Sequence, residues 1–227
     1  MKLFLICLLI GSSAHSETQV FEAVAKYEGQ IAYVERHTVI YDQDTLIKSM
    51  TEYVDSEGRP IGTLQSDFTH SIAAPDYIFR DKRHQSMQGL RWNHGQTELF
   101  SRDKGEKKIV KKVLIPGKET MIGGEGLIYY IADNLQQIIA KKGEDFQFVV
   151  PGRLETFNFF IEPVAHNSKQ AEFEIHMKSW LMKYFSPRLK LIYDLQKKRL
   201  KSYEGLSNLR DRNGEMMSVD IQYLYEN

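Results

Sequence analysis

Residues 171–178, AEFEIHMK, alternate without error: Phe173, Ile175 and Met177 fall on one parity and Glu172, Glu174, His176 and Lys178 on the other. Residues 216–225, MMSVDIQYLY, do almost the same, with Val219, Ile221, Tyr223 and Tyr225 set against Ser218, Asp220 and Gln222. A period of two with one apolar face marks a strand half buried in a sheet. The other parity is polar and meets water, so the sheet is antiparallel and not covered by helices on both sides. The fold class read from these two stretches is mainly β.

Working outward, YEGQIAYVERHTVIY (27–41) places Tyr27, Ile31, Tyr33, Val39 and Tyr41 on one parity. LIKSMTEYV (46–54) follows as its partner through Asp42-Gln43-Asp44-Thr45. DSEGRP (55–60) turns the chain into IGTLQSDF, HSIAAPD (70–76) interrupts, and YIFRD, MQGLRW and TELFS resume a meander, with Asn93-His94-Gly95-Gln96 as a hairpin turn. IVKKVLI precedes Pro116-Gly117, and FQFVV, RLETFNFFI, LKLIYD and RLKSYEG lie beyond Gly143. The tally is about ten to twelve strands. A sheet that large must curl or split into two packed sheets, and the alternation fits a half-barrel and a two-sheet sandwich alike. Ahead of Tyr27, ETQVFEAVAK (17–26) carries Val20, Phe21 and Val24 at helical spacing, which predicts a short leading helix or an ordered arm.

One stretch departs from this texture: GGEGLIYYIADNLQQIIAKKGEDFQFVVPG, residues 123–152. Gly123-Gly124 breaks the preceding strand, Glu125 places an acid near the positive start of a helix, and Lys141-Lys142-Gly143 supplies cations and a left-handed stop. Ile128, Ile131, Leu135, Ile138 and Ile139 form one apolar face, opposite Asp133, Gln137 and Lys141. The pattern predicts one main helix, about 126–142, covering the concave face of a large curved antiparallel sheet.

Thirty basic residues balance thirty acidic ones over the 227 residues, so no net field draws the chain onto nucleic acid. MKLFLICLLIGSSAHS (1–16) has Lys2, an apolar run from Leu3 to Ile10 and small residues at Ala14 and Ser16. That is the layout of a secretory signal peptide, with cleavage after Ser16 or Ala14. The run is shorter than the ~20 residues of a membrane-spanning helix. The expected organisation is a signal at 1–16 and a single β-rich domain at 17–227, exported, and periplasmic in a Gram-negative cell. Cys7 leaves with the signal, so the mature chain has no thiol for a disulfide, a zinc site or a nucleophile.

His37, His70, His84, His94, His166 and His176 show no HxH or HExxH spacing. No serine elbow or S-x-x-K pair stands where strand gives way to helix. No catalytic residue, metal ligand or cofactor is assigned, and paired carboxylates for a hydrolase have no sequence signature to select them. PDYIFRDKRHQSMQGLRWNHG (75–95) is dense in arginine and aromatics: Arg80, Arg83 and Arg91, with Trp92, suit an anionic head group, or else a solvated outer face. KGEKKIVKK (104–112) and QKKRLK (196–201) read as cationic hairpin tips. The abundant Tyr, Phe and Met suit a plain sheet core or an adaptable apolar cavity.

Residues 189–225, LKLIYDLQKKRLKSYEGLSNLRDRNGEMMSVDIQYLY, end in an L-x-x-Y-x-G…V-x-I-x-Y pattern. With the signal, the meandering sheet and the mid-chain helix, this stretch resembles the late strands of the periplasmic lipoprotein-carrier-like half-barrels. The resemblance implies a non-enzymatic protein that holds acyl chains or other apolar groups between sheet and lid. The expected ligand is a lipid or other hydrophobic small molecule, and the expected lining is Ile31, Tyr33, Ile128, Ile131, Leu135, Phe148, Phe159, Phe173 and Trp180. The alternatives are an envelope interaction module with a filled core, which meets an envelope protein, and a carboxylate-dependent hydrolase.

Overall fold

The computed structural model describes residues 16–115, 119–178 and 188–225. Strands β1 (Ser16–Tyr27), β2 (Gln30–Asp42), β3 (Thr45–Val54), β4 (Pro60–Asp67), β5 (Asp76–Asp81), β6 (Ser86–Asn93), β7 (Gln96–Arg102) and β8 (Val110–Leu114) form one antiparallel meander. Strands β10 (Glu144–Val150), β11 (Glu155–His166), β12 (Gln170–Met177), β13 (Leu189–Asp194), β14 (Arg199–Arg210) and β15 (Met216–Leu224) form a second, edged by β9 (Thr120–Ile122). The two join where β1 pairs with β15, from Glu22↔Leu224 to Lys26↔Asp220, into one fifteen-stranded sheet.

The stretch 17–26 is therefore neither a leading helix nor an arm. It lies within β1, the middle strand of the sheet, hydrogen-bonded to β2 on one edge and β15 on the other. Val20, Phe21 and Val24 imitate a helical spacing because they come from both faces: Val20 is 62% exposed, while the inward parity continues through the fully buried Ala23 and Ala25. Small side chains there make the inward face of β1 hard to recognise by hydrophobicity. Alongside β1, the three-residue β9 is the other strand that periodicity hides, and the total exceeds the expected ten to twelve.

Laid flat, fifteen strands at ~4.8 Å spacing would hold β8 and β9 roughly 67 Å apart. The six residue steps from Leu114 to Thr120 can span at most about 22 Å. The sheet must roll until its edges approach. Contacts across the interior agree: Tyr33 Oη on β2 lies 2.7 Å from Ser207 Oγ on β14, and Asn208 Nδ2 donates to Tyr53 Oη on β3 at 3.3 Å. The 3-10 turn after β10, Pro151–Arg153, lies against β6 and β7. The result is one continuous, curled sheet, barrel-like and open between β8 and β9, which excludes two separate packed sheets.

The same topology explains the helix. β9 and β10 pair in parallel, Thr120↔Phe146 to Ile122↔Phe148, and parallel neighbours need a long crossover. That crossover is α1 (Gly126–Lys141), which ends with Lys142 in the left-handed conformation. Leu127, Ile131, Leu135 and Ile138 are buried against Phe146, Ile161, Phe173, Ile175, Leu191 and Tyr193 on the concave face, each worth ~1.5–3 kcal/mol of burial. Asp133, Gln137 and Lys141 are exposed, as expected. On another flank Tyr129 meets Phe68 edge to face at 5.2 Å, so the helix bridges both meanders. Among the described residues no helix is long and apolar enough to cross a membrane.

Candidate functional site

The glycines around Glu125 allow a backbone contact that no other residue permits. Gly123 N–H donates to Ala73 O at 2.9 Å, and a Cβ on Gly126 would lie 2.0 Å from that same carbonyl oxygen. Gly124, at φ 55°, is wedged against the Tyr77 ring. The start of α1 is thus pressed onto residues 72–74, within the HSIAAPD interruption, and Glu125 is only 9% exposed beneath the sheet's inner surface.

What Glu125 meets there follows from strand parity. On β2, Glu35 and His37 share the inward face with Tyr33 and Val39; on β3 and β4, Ser49, Thr51 and Ser66 face inward. The register sets Thr51 opposite His37 and Ser49 opposite Ser66. Thr51 Oγ1 donates to Glu125 Oε1 at 2.8 Å, Ser66 Oγ donates to Oε2 at 2.9 Å, and Ser49 Oγ also donates to Oε2. His37 Nδ1 lies 2.9 Å from Thr51 Oγ1, and His37 Nε2 lies 3.0 Å from Glu35 Oε2.

Counting hydrogens assigns the roles. The one hydroxyl hydrogen of Thr51 goes to Glu125, so its oxygen accepts from His37 Nδ1–H. His37 Nε2 makes the ring's other contact with Glu35 Oε2, so the cluster sets two carboxyl groups, Glu35 and Glu125, against one imidazole.

His37 and Glu125 form the floor of a cavity of about 560 Å3 between the sheet, the start of α1 and the β13–β14 turn. One wall is aromatic. Phe21 stacks on His37 with ring centroids 4.6 Å apart and 14° between planes, Tyr225 lies 4.6 Å from Phe21, and the Arg199 guanidinium sits 4.2 Å over Tyr225. Ile72, Ile128, Tyr41, Tyr129 and Tyr223 complete it. Burial pushes the Tyr129 and Tyr223 hydroxyls well above the ordinary tyrosine range, with nearby carboxylates adding to it, so this wall stays neutral. At the rim, Glu17, Asp44 and Asp133 face Lys197 and Lys198. Burial raises the Asp133 carboxyl while Lys198 opposes the shift.

Of the lining expected from sequence, Ile128 lines this cavity. Ile131, Leu135 and Phe173 are sealed in the core beneath the helix, and Phe148 and Phe159 pack against that core from the side, 6.1 Å apart. Tyr33 is buried in the other meander's core. Ile31 is 52% exposed beside the β1–β2 turn, in a separate shallow hollow. Trp180 lies outside the described residues. The three arginines are exposed and do not converge: Arg80 reaches Gln65, Arg83 donates to Arg210 O, and Arg91 lies over Phe100. The residues that sequence reasoning missed are Glu35, His37 and Glu125 with their three hydroxyl partners. A signal existed, since Glu35 and His37 interrupt the parity that runs from Tyr33 to Val39.

No protein-family model matches the chain, and no curated protein matches it. Among solved structures the chain is similar to a beta-barrel-like protein of the domain of unknown function DUF1849 from Brucella abortus, with a TM-score of 0.37, 7% identity, and coverage of 94% of this chain and 98% of that one.

Proposed function

We propose that the protein is exported, with residues 1–16 removed, and binds a lipid or other hydrophobic small molecule between the curled sheet and the helix. The observation that carries this reading is the cavity itself. Its 560 Å3 lies within the ~300–1,000 Å3 usual for ligand sites, and an aromatic and aliphatic wall there faces a polar floor and a charged rim. Burial of an alkyl chain there contributes ~0.8 kcal/mol per methylene. Relative to the lining expected from sequence, the binding surface shifts toward the β13–β14 turn and away from Ile131, Leu135 and Phe173.

Native mass spectrometry of the mature protein, purified without detergent from an exporting cell and followed by solvent extraction, tests this. A discrete added mass that extracts into organic solvent is expected. A clean apo mass with no uptake of added alkyl compounds overturns it.

A second reading, an envelope interaction module, is favoured by one feature. Ile109, Val110, Val113 and Ile115, on and beside the edge strand β8, are 44%, 56%, 49% and 92% exposed, as an edge that receives another chain would be.

A further inference from the structure

We infer that the ligand of this cavity carries a positively charged nitrogen: it is an amphiphilic amine or ammonium whose cation sits against the Phe21–Tyr225 wall, facing Glu125. This rests on the binding reading above and adds the chemical class.

The first ground is charge. Among the described residues Glu125 has no lysine or arginine ion-pair partner; its ion-pair contact is His37 Nδ1 at 3.9 Å. Two carboxyl groups, Glu35 and Glu125, share the single His37 ring, so the formal charge of the floor is negative in a region shielded from water. Buried charge of that kind is screened far less than charge at the rim, and it favours a counter-ion. The three rim acids Glu17, Asp44 and Asp133 are offset by Lys197, Lys198 and Arg199, so the rim is close to neutral and the floor decides the sign.

The second ground is the wall. The rings of Phe21, Tyr223 and Tyr225 line the cavity next to that charge, and aromatic rings attract cations, with alkylammonium groups the usual beneficiaries. The Arg199 guanidinium lies 4.2 Å over the Tyr225 ring, a cation already held at this wall. An anionic head would instead meet Glu125 with its three hydroxyl donors already committed.

The test uses the mature protein and three ligands with the same decyl chain, decyltrimethylammonium, decanol and decanoate, each displacing an environment-sensitive apolar dye. The ammonium compound should bind about tenfold or more tightly than decanoate. Glu125→Gln should reduce that ratio toward one. Because Glu125→Gln also disturbs the hydroxyl cluster, Phe21→Leu serves as a second variant, and it should lower ammonium binding more than decanol binding. Equal binding of all three, or preference for decanoate, overturns the inference and leaves the binding reading intact. Failure of all three to bind overturns both.

Discussion

Thr51 Oγ1 and Glu125 Oε1 lie 2.8 Å apart, joining the middle of the third strand to the residue that precedes a helix, 74 residues later. The same oxygen receives His37 Nδ1 at 2.9 Å, so one hydroxyl links the helix to two strands. Replacing it with an isostere that cannot hydrogen-bond leaves a buried carboxylate and a buried imidazole each short of a partner. Thr51→Val should cost ~2–3 kcal/mol, and Thr51→Ser, which keeps the hydroxyl, about 1 kcal/mol or less. Urea unfolding midpoints at neutral pH measure both. Equal losses in the two variants would mean that the methyl, and not the hydrogen bonds, matters.

Gly126 and Gly95 separate close approach from backbone conformation. A Cβ at Gly126 collides with Ala73 O, whereas Gly95, at φ 76°, has open space around it. Gly95→Ala should cost about 1 kcal/mol through the turn alone. Gly126→Ala should cost ~3 kcal/mol or more, since a backbone carbonyl cannot swing aside as a side chain can. Thermal unfolding of the pair measures the difference, and a Gly126→Ala protein as stable as Gly95→Ala refutes the contact.

Alkaline pH should unfold the chain cooperatively. Burial, reinforced by nearby ionisable groups, pushes the hydroxyls of Tyr53, Tyr193 and Tyr223 well above the ordinary value of 10.0. Tyr130 is pushed up to about 12, by burial and by its hydrogen bond to Glu144. In the unfolded chain these groups ionise near 10, so the folded state retains protons that the unfolded state releases. The stability associated with them is fully present below about pH 10 and is lost as pH rises beyond it. Tyrosinate absorbance and far-ultraviolet ellipticity, followed together, should change in one step. Independent ionisation of most tyrosines near pH 10 with the fold intact contradicts this.

Cavity and core should respond to different substitutions. Ala132 borders the cavity and is 8% exposed, so Ala132→Phe places a ring in the ligand space. It should abolish uptake of an apolar dye at a stability cost of ~1–3 kcal/mol. Phe173 is fully buried away from that space, and Phe173→Ala should cost ~3–5 kcal/mol while the remaining folded protein still takes up dye. Dye titration beside denaturation separates the two, and undiminished uptake by Ala132→Phe moves the ligand elsewhere.

Much of the fold was legible because it rests on periodicity. Phe173, Ile175 and Met177 are buried as their alternation predicts, and α1 runs from Gly126 to Lys141 against an expected 126–142. The His94-Gly95 hairpin turn, with both residues at positive φ, was readable from its residue types. β1 was not, because an alanine inward face carries little hydrophobic signal and its partner β15 lies at the far end of the sequence. The polar cluster leaves only a break in the parity of β2, for a related reason. Alternation identifies which residues face inward only when they are apolar, and Glu35, His37, Ser49, Thr51 and Ser66 face inward to satisfy one another. Their partner Glu125 was read from sequence as a helix-start acid, and only the approach of Gly126 to Ala73 turns it inward.

The seam between β1 and β15 sets the order in which the molecule can be assembled. β1 finds β2 at once through a tight turn, but its other edge waits for the last described strand, so the two meanders stay separate sheets until β15 is available. Closing that seam brings Glu22 to Leu224, the slow, non-local kind of step that limits folding rates. During that wait the unpaired edges of β1 and β10–β15 are open to strangers, and a chaperone that shields them would act on the nascent chain rather than on the finished barrel.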